Sequence, residues 1–156
     1  MLACATRAPD HGRLRPWRFV LVRSEARGRF GDVLAEHLRR SRPQVSAETL
    51  ERERLKAFRA PLIVVVAAHC DPAAKIPQIE QTLSAGAAAH AMMLAAFALG
   101  FNAMWKTGGP AYDPAVKSAL GLAADDAIVG FLYLGTEPER APHIPGRWHD
   151  LVHEFI

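Results

Sequence analysis

The chain has 156 residues, half of them hydrophobic, with a net charge of +3 and a pI of about 9.2. That is enough chain for one domain with a sizeable core, and the mild positive charge lacks the dense Lys/Arg block with interleaved aromatics that nucleic-acid binding needs. Two cysteines, Cys4 and Cys70, make no disulfide framework, and no signal peptide opens the chain, so the expected compartment is reducing and cytoplasmic.

Residues 7–19 read Arg-Ala-Pro-Asp-His-Gly-Arg-Leu-Arg-Pro-Trp-Arg-Phe. Pro9 and Pro16 stiffen this stretch and bias the residues before them to extended conformations. Arginines and a histidine in a stiff loop ahead of a strand present fixed cations and donors, which suits a planar anionic ligand. The same residues also read as a solvated basic turn. A strand is expected over 17–22 and a helix over 24–40, with Ser24 as N-cap and Arg27 near Glu25 and Asp32. Phe30, Val33, Leu34 and Leu38 recur there at helical spacing. Arg39, Arg40 and Arg42 read as a solvated helix end.

A second helix over 46–58 opens on Ser46, carries Glu48, Glu51 and Glu53 early, and is expected to be surface-facing and mobile. Pro61 ends it, and the apolar run over 62–68 reads as a fully buried strand. After a loop over 71–77, an Ala-rich helix is expected over 78–99, closed by Gly100. Residues 84–101 carry no formal charge, but alanine dominates them and Ser84, Gly86 and His90 interrupt them. A core or dimer-interface helix is therefore expected in place of a membrane span. A strand over 102–105, a turn over 107–110, a helix over 113–120 stopped by Gly121, and a strand over 128–134 follow. The tail over 148–156 is amphipathic and is expected to dock on a neighbour. Four strands and four helices suggest a sheet covered on both faces.

Catalytic motifs are few. There is no Gly-x-Gly-x-x-Gly, no phosphate-binding Gly-x-x-x-x-Gly-Lys and no Gly-x-Ser-x-Gly. Cys70 follows His69, and neighbours in a strand face opposite ways, so Cys70 reads as a buried structural thiol. His149 and His153 are four apart with no third ligand nearby, so no metal site is assigned. Glu80 is expected to cap or pair near the start of the long helix. No side chain is assigned as catalytic, and any redox chemistry would come from a cofactor.

Five segments then carry a resemblance together. They are Arg7 to His11 with Arg15 to Phe19, Glu80-Gln-x-x-Ser84-Ala-Gly86, Met92-Met-Leu-Ala-Ala, Gly100-Phe-x-x-x-Trp105-Lys-Thr-Gly108, and Ile128-Val-Gly-Phe-Leu-Tyr-Leu-Gly-Thr136. In this order the chain resembles the nitroreductase family of flavoproteins, in its small bacterial branch. The resemblance implies an α+β fold, a three-layer α/β/α sandwich with a mixed, largely antiparallel sheet, as one domain over residues 1–156. It implies a homodimer with FMN at the interface, NAD(P)H as co-substrate, and ping-pong hydride transfer through flavin N5 to a nitroaromatic, quinone or similar acceptor. It places Arg7 and His11 against FMN across the interface, with Trp105, Lys106 and Thr107 as a second FMN-contacting segment. Lys106 stands where related sequences have Arg, Arg15 where they often have Gln, and His90, read as an interface residue, where many have Asn. The family's first helix, with its basic phosphate-gripping motif, has no counterpart in this sequence. Weak or absent FMN binding is the corresponding expectation. The alternatives are a degenerate flavin-binding dimer or another flavin-handling activity on this fold.

Overall fold

The computed structural model describes residues 1–139, 142, 144–146 and 149–155. Strand β2 (Leu62–Ala68) shows why the fold is layered: six of its seven residues are buried, so helices must cover both of its faces. It lies between β1 (Trp17–Arg23) and β4 (Ala127–Gly135), and β3 (Asn102–Lys106) closes the order β1-β2-β4-β3. All three pairings are antiparallel, so the parallel component of the expected mixed sheet is not among the described strands.

Side-chain alternation sorts the core into two layers. Val64, Val66, Leu132 and Leu134 face α1 (Leu2–Ala5) and α4 (Gln78–Ala98). Ile63, Val65, Ala67 and Phe131 face α2 (Ala26–Ser41) and the 3-10 turn Leu55–Phe58. Phe30 of α2 meets Phe131 with ring centroids 5.7 Å apart and tilted planes. Helix α3 (Ala47–Arg54) buries nothing, as its charge suggested, while α5 (Pro114–Ala119) anchors on Val116.

A bulge in β4 shapes the sheet near its end. Val66 pairs with Gly130 and Ala67 with Ile128, which leaves Val129 out of register. The Val129 carbonyl instead accepts the Trp105 indole N–H at 3.0 Å. The indole fits only because residue 130 is glycine, where an added Cβ would lie 2.2 Å from the indole nitrogen.

Several expectations need correction. The first long helix starts at Ala26, because Ser24 sits in a turn at φ 51° and makes no cap. Arg27 turns from Glu25 and Asp32 to the carbonyls of Ser24 and Ala60, with its guanidinium 5.3 Å from the Phe58 ring centre. The second helix yields to a 3-10 turn after Arg54. Cys70 lies beyond the end of β2, half-buried, with its thiol 3.5 Å from the Thr82 hydroxyl. Helix α4 is not buried all round. Gln81, Ser84, Ala85, Ala88, Ala89, Met92 and Ala96 form the buried stripe, and a second apolar stripe faces outward. No helix among the described residues is long and apolar enough to cross a membrane. Of the tail, Trp148 and Ile156 lie outside the described residues, and His149–Leu151 form a 3-10 turn.

Candidate cofactor site

The basic loop is built around Asp10. Its carboxylate oxygens accept the backbone N–H groups of Leu14 at 3.1 Å and Arg15 at 2.8 Å. These contacts stabilise left-handed backbone at Arg13 (φ 56°) and Arg15 (φ 51°), a conformation costly for residues with a Cβ. Two further ties fix the loop to α4. His11 Nδ1 pairs with a Glu80 carboxylate oxygen at 2.7 Å, which gives Glu80 the pairing role expected of it. The Trp17 indole donates to the Ser84 hydroxyl at 3.0 Å, and that hydroxyl donates to the Pro9 carbonyl at 2.6 Å.

The loop walls a cavity of about 850 Å³ that carries Arg7, Arg13, Arg15 and Arg18, with Trp17 and Phe19 beside them. Asp10 is the one acidic residue in its lining, and both its oxygens are engaged by the backbone. Among the described residues, no carboxylate pairs with any of the four arginines. The cavity is therefore large, open and positive on balance, with four guanidiniums against one carboxylate.

The second expected segment lies elsewhere. Trp105 packs into the α4-side core with its N–H committed to Val129, so only its ring faces and backbone remain for a ligand. Lys106, the next residue, alternates to the other face. With Thr107 and Gly108 it lines a separate cavity of about 530 Å³, beside Phe131 and Tyr133. Gly108 turns the chain there at φ 112°, which only glycine adopts without strain. The two cavities share no lining residue. One copy of the chain thus brings Arg7, Arg13, Arg15 and Arg18 together and leaves Lys106 and Thr107 apart from them. His11 belongs to the loop but not to the lining of its cavity, and stands exposed against Glu80.

The model of the nitroreductase family matches residues 1–136. The chain belongs to the nitroreductase family. YdjA of Escherichia coli K12, provisionally named an NAD(P)H nitroreductase, is 41% identical over 141 residues, which is 90% of this chain and 76% of that protein. A nitroreductase-like protein from Bacillus cereus superposes with a TM-score of 0.80 at 27% identity, covering 99% of this chain and 81% of that one. A Desulfovibrio desulfuricans structure, described as a nitroreductase in complex with FMN, superposes at 0.73 with 23% identity, covering 99% and 80%. The α+β layered fold expected from the sequence is the nitroreductase fold.

This family member also holds two His–Asp pairs that the sequence did not reveal. His37 Nδ1 pairs with Asp113 at 2.6 Å, and Arg40 reaches the same carboxylate oxygen at 2.7 Å. The hydrogen bond from His37, then those from Arg40 and the Ala115 amide, hold Asp113 well below the usual carboxylate range despite burial. Asp113 thereby pins the Gly109–Tyr112 turn and α5 to the end of α2. His69 Nδ1 pairs with the buried Asp126 at 2.6 Å, and Asp126 also accepts the Ala123 amide at 2.9 Å. Asp125 comes within ligand distance of this pair, but Asp126 already serves as a clamp between the ends of two strands. The partners are 57 to 76 residues apart, so no local spacing announced them.

Proposed function

We propose that this protein binds FMN and acts as an NAD(P)H-dependent oxidoreductase by a ping-pong cycle, passing electrons to a nitroaromatic, quinone or similar acceptor. The observation that carries this reading is the arginine-lined cavity, whose volume and excess positive charge fit a phosphorylated, anionic cofactor. Bound FMN supplies the redox chemistry, taking a hydride from NAD(P)H and returning reducing equivalents to the acceptor. The chain's own residues bind and orient. Arg7 offers a guanidinium in this cavity, which favours a ligand whose negative charge grows on reduction. Glu80 orients the His11 ring and sets which nitrogen points away from α4. Thr107 and Gly108 present backbone donors beside Lys106, and Trp105 holds that turn in register through Val129.

The reading includes a homodimer. Arg7 and His11 lie apart from Lys106 and Thr107 within one chain, and a second copy is the simplest way to bring the two segments to one ligand. The outward stripe of α4 supports this. Ile79, Leu83, Leu94 and Phe97 are each more than half exposed, and His90 lies among them. Gly86, with no atom within 4 Å of its Cβ position, leaves room for close approach. An apolar stripe of this length belongs against another surface.

The test is a visible spectrum of the protein titrated with FMN, then anaerobic addition of NADPH or NADH. A shifted flavin band that bleaches with nucleotide is expected once FMN is raised to saturation, against the weak or absent binding expected from the sequence. Arg7→Gln should weaken FMN by about 10- to 100-fold, the scale of one charge-assisted hydrogen bond. No spectral shift at saturating FMN would sink the reading.

A further inference from the structure

The flavin contacts proposed above use Arg7 and His11. Arg13, Arg15 and Arg18 line the same cavity as Arg7 and add to its positive charge, but no flavin contact is assigned to them. The loop backbone that carries them is held, and so is the Arg18 guanidinium. Asp10 fixes the backbone at Arg15, and Arg18 Nη1 donates to the carbonyls of Arg15 at 3.2 Å and Trp17 at 3.0 Å. None has a carboxylate partner among the described residues, and the one acid in the lining is engaged by backbone amides. A single phosphomonoester brings about −1.5 to −2 charges near neutral pH, so one such group leaves four guanidiniums under-neutralised. The fork geometry of Arg also matches phosphate oxygens in pairs.

The two candidate hydride donors differ by one phosphomonoester, on the 2′ oxygen of the adenosine ribose. We infer that Arg13, Arg15 and Arg18 form a subsite for this 2′-phosphate, so that the protein selects NADPH over NADH. The inference rests on the flavin reading, which assigns Arg7 to the cofactor and makes a pyridine nucleotide the hydride donor.

Calorimetric titration of the full chain with adenosine 2′,5′-bisphosphate, adenosine 5′-monophosphate and inorganic phosphate tests it without turnover. The bisphosphate should bind about tenfold or more tighter than the monophosphate at low salt, and the gap should narrow as salt screens it. Arg15→Gln should shrink the ratio, and the triple variant R13Q/R15Q/R18Q should bring it near one. Circular dichroism checks folding, and the single variants decide the question if the triple variant is unfolded. Equal binding of the two nucleotides overturns the inference, as does a preference that survives in the variants. Displacement of the bisphosphate by an equal concentration of inorganic phosphate also overturns it, because the site would then be a general anion site. Failure of the flavin reading shows separately, as no spectral shift with FMN, while the nucleotide ratio is still read.

Discussion

Asp10 is a single carboxylate on which the conformation of the basic loop depends. It accepts from two successive backbone amides, those of Leu14 and Arg15, and holds two arginines in left-handed geometry. Asp10→Ala removes both acceptors and leaves the strain uncompensated. A loss of about 2 kcal/mol is expected in urea unfolding, with weaker FMN binding in the same variant. Asp10→Asn, which keeps one acceptor, should fall between. Gly130 is the second such position. Gly130→Ala places a methyl where the Trp105 indole sits, breaks the bond to Val129 and disturbs the turn at Lys106. About 3 kcal/mol should be lost, visible as a lower denaturation midpoint with an unchanged slope.

At the scale of elements, the fold is stapled by polar side chains that bridge loops to helices. Gln81 is the fullest case. Its amide donates to the carbonyls of Asp71 and Ile76, and its oxygen accepts the Asp71 amide, so one buried side chain closes the loop that enters α4. His37 and Arg40 do the same for α5 through Asp113. The low folded pKa of Asp113 has a definite sign. Its stabilising contribution is full above the unfolded carboxylate range near pH 4, and it is lost as pH falls further towards the folded value. Asp113→Asn should therefore flatten the acid limb of the stability curve below about pH 4 and lower stability at neutral pH. Thermal melts from pH 2 to 7 check this, and an unaltered acid limb would contradict the assignment.

For the whole molecule, the outward stripe of α4 is the decisive feature. Leu83 and Phe97 are about two-thirds exposed, which no packing among the described residues relieves. Leu83→Glu and Phe97→Glu leave the monomer core intact and should shift a dimer to monomer in sedimentation, with flavin released in the same samples. A monomeric wild-type chain that binds FMN would overturn the dimer and its shared site together.

Much of this protein was legible in its sequence, where the signal was periodic or local. Leu62–Ala68 is a strand with the expected limits because a continuous apolar run of that length suits only a central strand. Ser46 caps its helix through the Thr49 amide, and the start of α4 follows Pro77. The family was legible from the order of five short segments, though each alone is weak. Other features needed the tertiary structure, because long-range geometry leaves no local trace. The Ser24 cap failed because the strand-to-helix turn imposes a left-handed residue there. The one-sided burial of α4 was hidden because alanine suits both a core and an open face. The role of Trp105 depends on a bulge in a strand more than twenty residues away. Charge marked the basic loop from sequence alone. Only the fold showed that its four arginines share one cavity with the single carboxylate of Asp10, and that Lys106 lies on the other face of the sheet.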